Sequence, residues 1–272
     1  MKKICYFYIY VTDDFTNNIV VKLHEVLLRK YANIFDEFIF VLSINDIFDK
    51  KKIDYGIEFI KQLNINNYKV YMVKNDKNSG EAVLLLNFVI PHIMLNKECG
   101  NNDYIFFGHL KGITDITKIG FNPKSILNWI ASLYFYSFEY IDEMILLFNS
   151  GAALYGPLKT KFYSTNLPHT KIKNHQFNYP GTFYWINSSK IIDNMCIKLT
   201  EFKQYINRFI AEDFPFFIKQ ECVVSHKNIH TVWLKNCDLY MSNDNIWYTY
   251  LKVYGDSDRV LSIINESNCS RS

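Results

Sequence analysis

Apolar residues in the first hundred positions fall into short runs whose spacing switches between two periods. Residues 4–11 (ICYFYIYV) carry almost no polar interruption, the pattern of a strand covered on both faces. Residues 16–31 instead place Ile19, Val20, Leu23, Val26 and Leu27 at the three-and-four spacing of one helix face. Residues 38–42 predict a second strand, 55–63 a short helix, and 68–73 an alternating third strand. Residues 80–95 predict a helix that Pro91 kinks or ends early, and 104–107 (YIFF) a fourth strand stopped at Gly108. Strands and helices in alternation predict an α/β fold: a Rossmann-type, mostly parallel central sheet with helices on both faces.

After Asp115 the rhythm changes. Residues 124–149 are apolar over a length that predicts a helix with one break. Gly151, Gly156, Pro157, Pro168, Pro180 and Gly181 stand among polar residues and mark loops. Residues 183–186 read as a strand, 188–199 and 202–219 as helices, and 230–232 and 237–241 as short strands. No internal repeat or linker interrupts the chain, so one domain over residues 1–272 is expected.

Composition narrows the classes. At 49% hydrophobic residues, a sizeable core is available and wholesale disorder is not expected. A net charge of +3 is too mild, and the basic runs at 50–52 and 159–173 too short, to indicate a nucleic-acid partner. The six cysteines include no C-x-x-C pair, which argues against a zinc or redox motif and fits reduced thiols in the cytoplasm. The first apolar run meets Asp13-Asp14 with no small-residue cleavage site, unlike a signal peptide. Residues 126–148 are long enough to span a bilayer but carry Asn128, Glu139, Asp142 and Glu143. A buried helix is therefore expected and no transmembrane segment, with peripheral membrane attachment left open.

The densest chemistry lies at 103–115, DYIFFGHLKGITD. In open α/β sheets ligands bind just past the carboxyl ends of strands. His109, Lys111, Gly112, Thr114 and Asp115 follow such an end, so an anionic, phosphate-bearing ligand is the simplest expectation. The bland alternatives are a capping or core histidine, a surface lysine and a turn aspartate. Residues 179–185 (YPGTFYW) form the second signal: a tight turn, then a strand on which Phe183 and Trp185 share one face. Those rings suit either sugar stacking or core packing. Glu212 and Asp213 are adjacent on a helical pattern and point about 100° apart, so one of them faces any cleft. Either can also pair with Arg208 or Lys219.

In this order and spacing the residues resemble small GT-A-type glycosyltransferases, including ones of algal viruses and of bacterial surface-polysaccharide clusters. Those carry a strand followed by H-T/S-K-G, then G-N/T-F-W/Y-W, then a helix with an Arg and a Glu a few residues apart. The matches here are His109-Leu110-Lys111-Gly112, Gly181-Thr182-Phe183-Tyr184-Trp185, and Arg208 with Glu212. An upstream N-x-x-E matches Asn78-Ser79-Gly80-Glu81, and the similarity spans about residues 4–220. Leu110 stands where a small hydroxyl residue is usual, and Thr182 where Asn is common. No D-x-D follows the fourth strand; Asp256-Ser257-Asp258 lies far from it and reads as a turn.

The resemblance implies a nucleotide-diphosphate-sugar donor and a glycan or lipid-linked glycan acceptor, in surface-polysaccharide or glycoprotein-glycan synthesis. Residues 1–115 become the nucleotide-binding half, 116–255 the acceptor side and 256–272 a tail. Donor and diphosphate contacts fall to Thr12, Asp13, Glu81, His109, Lys111, Gly112 and Asp115. Acceptor or sugar contacts fall to Gly181, Thr182, Phe183, Trp185 and Arg208, and the base to Glu212 or Asp213. Asp115 is the candidate ligand for Mn²⁺ or Mg²⁺, a requirement that the missing D-x-D leaves open. Two alternatives stand beside this reading. A nucleotidyltransferase or other phosphate-handling enzyme would use the same strand end, but Val11-Thr12-Asp13-Asp14 is no Gly-rich phosphate loop. A non-catalytic glycan-binding protein would keep the aromatic segment and tolerate loss of Glu212.

Overall fold

The computed structural model describes residues 1–75, 80–110, 112–114, 123–161, 177–179, 182–202 and 210–228. Four parallel strands form one side of the sheet: β1 (Lys3–Tyr10), β2 (Glu37–Ile44), β3 (Tyr68–Lys74) and β4 (Tyr104–His109), in the spatial order β3-β2-β1-β4. The crossovers are α1 (Ile19–Tyr31), α2 (Lys50–Gln62), and a third helical stretch. That stretch runs from α3 (Ala82–Leu84) through a π-helical turn (Leu85–Val89) into α4 (Ile90–Cys99). Beyond β4 come α5 (Pro123–Phe138), α6 (Ile141–Asn149), β5 (Leu154–Lys161), β6 (Phe177–Asn178) and β7 (Tyr184–Asn187). They are followed by α7 (Ser188–Ile191), α8 (Leu199–Phe202), α9 (Ile210–Asp213) and β8 (Val223–Asn228). β7 pairs antiparallel with β4 and β5, β6 pairs antiparallel with β5, and β8 runs parallel to β5.

The fold is therefore the expected α/β sheet with helices on both faces, and the strand period of two sorts its core. Cys5, Phe7, Ile9 and Phe106 face α1, α2 and α5. Ile4, Tyr6, Tyr8, Ile105 and Phe107 face α3, α4 and the segment after β7. Burial of each large side chain contributes roughly 1.5–3 kcal/mol, and two filled faces explain why β1, β2 and β4 read as unbroken apolar runs.

Several local expectations change. Pro91 neither ends nor splits its helix. The carbonyl that its ring would crowd belongs to Asn87, which sits in the π-helical turn, where the i−4 bond is already forgone. The stretch Ala82–Cys99 is apolar and long enough to cross a membrane by composition, yet Leu84, Leu85, Val89, Ile90 and Ile93 are core residues. The single break expected within 124–149 is present, at Glu139-Tyr140. The helix expected over 202–219 is not continuous to its end, because Pro215 opens a 3-10 turn, Phe214–Phe217, directly after α9. The one over 188–199 shortens to α7 and a 3-10 turn, Ile192–Asn194.

β5 and β8 were not expected. Gly156-Pro157 reads as a loop, but Gly156 lets the Tyr179 ring lie on the backbone: a Cβ there would stand 2.0 Å from that ring. Pro157 falls just past the residues that β7 pairs. Cys5, Cys99, Cys196 and Cys222 are free thiols. The strands expected at 230–232 and 237–241, the D-x-D and the tail lie outside the described residues.

Candidate functional site

The chain steps outward from β1 to β2 to β3, then returns to lay β4 on the other side of β1. The strand order thus reverses between β1 and β4, where α/β sheets open a ligand crevice at their carboxyl ends. The residues leaving β1 and β4 there are Val11 to Asp14 and Leu110 to Thr114.

The two loops are tied together. Leu110 N–H donates to the Tyr8 carbonyl at 3.1 Å, carrying the β4 exit back over β1. The side chains of Leu110 and Ile113 are buried and anchor the turn in the core. Between them Gly112 adopts φ +86°, and a Cβ would stand 2.8 Å from Ile126 Cγ2, so both the backbone and the space require glycine. Asn18 completes the link. Its Oδ1 caps α1 by accepting from Val20 N–H at 3.0 Å, while its Nδ2 donates to the Ile113 carbonyl and to Asp14 Oδ2, each at 3.2 Å. Asn18 is a positioning residue that sequence reasoning missed. The available signal was an Asn directly before an apolar helical repeat.

Thr12 and Asp13 sit at this rim with partners already. Thr12 Oγ1 donates to Asp14 Oδ1 at 2.7 Å, and Asp13 makes a 2.7 Å ion pair with Lys52 from the first turn of α2. Hydrogen bonding and charge from Lys52 hold the Asp13 carboxyl below its usual value and raise the Lys52 ammonium. A ligand reaching Asp13 must share it with Lys52. His109 ends β4, is nearly buried, and lies 6.1 Å, centroid to centroid, from the Phe183 ring.

On the other face of the sheet, Tyr184 sits opposite Phe107, near the same end of β4, and stacks on it at 5.1 Å. Its hydroxyl donates to the Ala211 carbonyl at 2.9 Å. Burial pushes the Tyr184 phenol well up, and the carboxylate of Glu81 adds to the push. The same tyrosine thus hydrogen-bonds α9 and feels the charge of Glu81. Asp213, at the end of α9, is only 7% exposed. Glu212 belongs to α9 by its backbone.

Thr182, fully buried, holds φ +56°, a left-handed conformation costly for a β-branched residue, and its N–H bonds the Tyr179 carbonyl at 3.0 Å. The two rings expected on one strand face are core residues here. Phe183 packs among Phe7, Phe106 and Tyr134. Trp185 stacks on Phe35 at 5.3 Å and donates its Nε1–H to the Ser137 carbonyl at 3.0 Å. Both are fully buried, which is the packing alternative, and neither offers a ring face to a sugar. Lys111, Asp115, Gly181, Arg208 and the side chain of Glu212 lie outside the described residues.

Among the described residues no three His, Cys, Asp or Glu side chains gather to hold a metal ion. A surface cavity of about 510 Å³ is lined by Ile192, Met195, Cys196, Ile197, Lys198, Leu199 and Glu201. It contains none of the expected site residues. Its neighbour Asp193 pairs at 2.6 Å with Lys97, near the end of α4, which leads into the amino end of β4.

No family model matches the sequence, and no curated protein does. Among solved structures the chain is similar to the nucleoside-diphosphate-sugar pyrophosphorylase from Vibrio cholerae RC9. The identity is 12% over 84% of this chain and 92% of that one, with a TM-score of 0.39.

Proposed function

We propose that the chain is a glycosyltransferase that moves a sugar from a nucleoside-diphosphate donor to a hydroxyl of a glycan acceptor, at the carboxyl ends of β1 and β4. The observation that carries the reading is the reversal of strand order at that point, with the glycine-bearing turn after His109 fastened to the cap of α1. The H-x-K-G and G-T-F-Y-W segments, with their GT-A resemblance, supply the choice of chemistry.

In this mechanism the bond from the anomeric carbon to the diphosphate breaks, and its electrons leave with the nucleoside diphosphate. Lys111 and His109 oppose the charge that grows there. The acceptor oxygen bonds the anomeric carbon and gives its proton to Glu212 or Asp213. Glu81, which the resemblance assigns to the donor, acts electrostatically on Tyr184, and the buried Asp213 ends the short helix that the Tyr184 hydroxyl bonds. Asp115 is the protein ligand this reading assigns to a divalent ion.

The test is nucleoside-diphosphate release from a panel of UDP-, GDP- and dTDP-sugars with glycan acceptors, with and without Mn²⁺ or Mg²⁺. One donor is expected to turn over. Lys111→Ala should raise the KM for that donor, and Glu212→Gln should lower kcat by about 100-fold or more while leaving the donor KM in place. Release of pyrophosphate instead would identify a nucleotidyltransferase. The absence of both turnover and a thermal shift with every donor would end the enzymatic reading.

A further inference from the structure

Among the described strands β3 is the outermost on its side of the sheet, and no described residue pairs with its outer edge. Its ladder with β2 fixes which backbone groups that edge presents. Phe38 N–H donates to the Asn67 carbonyl at 3.0 Å and Asn75 N–H to the Ile44 carbonyl at 2.8 Å, with Phe38 opposite Tyr68 and Ile44 opposite Lys74. In a parallel ladder these bonds recur at every second residue. Lys69, Tyr71 and Val73 therefore turn their N–H and C=O groups to β2. Tyr68, Val70, Met72 and Lys74 turn theirs outward.

The usual defences of an edge strand are weak here. The strand has no proline, glycine or bulge, and its side chains stand open on both faces: Tyr68 is 39%, Tyr71 43% and Met72 55% exposed. Of its two charges, Lys69 is neutralised by Glu37 at 2.6 Å and Lys74 stands at the strand's last position.

We propose that β3 pairs antiparallel with β3 of a second copy of this chain, about a two-fold axis at Tyr71, joining the two sheets into one. That register is self-complementary. Tyr68 meets the partner's Lys74 and Val70 meets the partner's Met72, and every outward N–H and C=O between Tyr68 and Lys74 gains a partner. The pairs are favourable side by side as well. The Lys74 ammonium reaches the partner's Tyr68 ring, Val70 packs on Met72, and Lys69 faces the partner's Val73. Like charges do not stand opposite each other. A register moved by one residue would set the outward groups of one strand against groups already bonded to β2.

The test is sedimentation of the full chain over a dilution series from micromolar to millimolar. A reversible monomer–dimer equilibrium is expected. Met72→Pro removes only an outward N–H, leaves the β2 ladder whole, and should keep the monomer folded by circular dichroism while abolishing the dimer. Tyr71→Cys places two thiols at a non-hydrogen-bonded pair, with Cα atoms about 4.5 Å apart, inside disulfide reach. With Cys99, Cys196, Cys222, Cys237 and Cys269 replaced by Ser, mild oxidation should cross-link it to a dimer in high yield, where the same chain keeping Tyr71 is not cross-linked. A monomer throughout the series overturns the proposal. So does a dimer that survives Met72→Pro and leaves the introduced thiol at position 71 unlinked.

Discussion

Thr182 is where side-chain identity and backbone conformation disagree most openly. A β-branched residue at φ +56° costs roughly 1–2 kcal/mol relative to the same residue in an ordinary well. The chain keeps it one residue before Phe183 enters the core and two before β7 begins. Strain retained at the mouth of a candidate crevice is what a functional constraint on backbone direction would leave behind. Asn tolerates the left-handed well better than Thr. Thr182→Asn is therefore expected to raise unfolding stability by roughly 0.5–1 kcal/mol in urea. If the strain serves function, kcat falls in the same variant; unchanged stability would mean that Thr182 is held by side-chain contacts that offset its backbone.

At the scale of elements, single polar residues hold secondary structures in register. Asn18 joins the start of α1 to the turn after β4. Asn18→Asp keeps the cap, since a carboxylate accepts from Val20 N–H as well as an amide does. It loses the donor to Ile113 and sets a second negative charge beside Asp14. The expected result is a small change in melting temperature with a raised donor KM; a KM unchanged within error would detach that turn from donor binding. Asp103 plays the equivalent part at the opposite end of β4. It accepts from the Lys2 amide, from Asn96 and from His92, which also meets the Tyr6 hydroxyl at 2.9 Å. Burial alone would raise the Asp103 carboxyl, but those three donors pull it below its usual value. A depressed folded pKa contributes stability that is complete above the unfolded value, about 3.9, and is lost as pH falls through the folded one. The stability gap between the unsubstituted chain and Asp103→Ala should thus be flat from about pH 5 to 7 and shrink below about pH 4. A gap that widens in acid would contradict this account of Asp103.

The same elements show what the sequence made legible. β1, β2 and β4 could be read because burial on two faces leaves unbroken apolar runs, the exposed β3 from its alternation, and the crossover helices from their own spacing. The strand at 104–107 was legible from its apolar run, although it continues through Gly108 to His109; the strand order that puts β4 beside β1 was not. The Phe183 and Trp185 pair was legible as a shared strand face, but alternation cannot say whether that face meets a cleft or another layer of side chains. α5, lying over them, decides it. β5 stayed hidden because Gly156 and Pro157 are loop residues by composition, and only the Tyr179 ring lying on Gly156 explains the glycine. That Tyr184 both bonds α9 and feels the charge of Glu81 joins positions more than a hundred residues apart, which local pattern does not encode.

Across the whole molecule, neither core belongs to one half of the chain. The cluster on the α1 face draws from Cys5 through Trp185, and the one on the α4 face from Ile4 through Val223. β4 is the seam: it pairs with β1 on one side and with β7 on the other. Neither half can keep its apolar faces covered once the other has melted, so cooperative loss of both is expected as a single calorimetric transition. A ligand at the β1–β4 crevice then stabilises the entire chain, not a lobe of it. At 100 times its dissociation constant, a bound nucleoside diphosphate adds about 2.7 kcal/mol, or several degrees in melting temperature for a chain of this size. The whole endotherm should move by that amount. Two transitions, of which only the first moves with nucleotide, would mean that residues beyond β4 fold as a separate unit and that donor binding belongs to the first four strands alone.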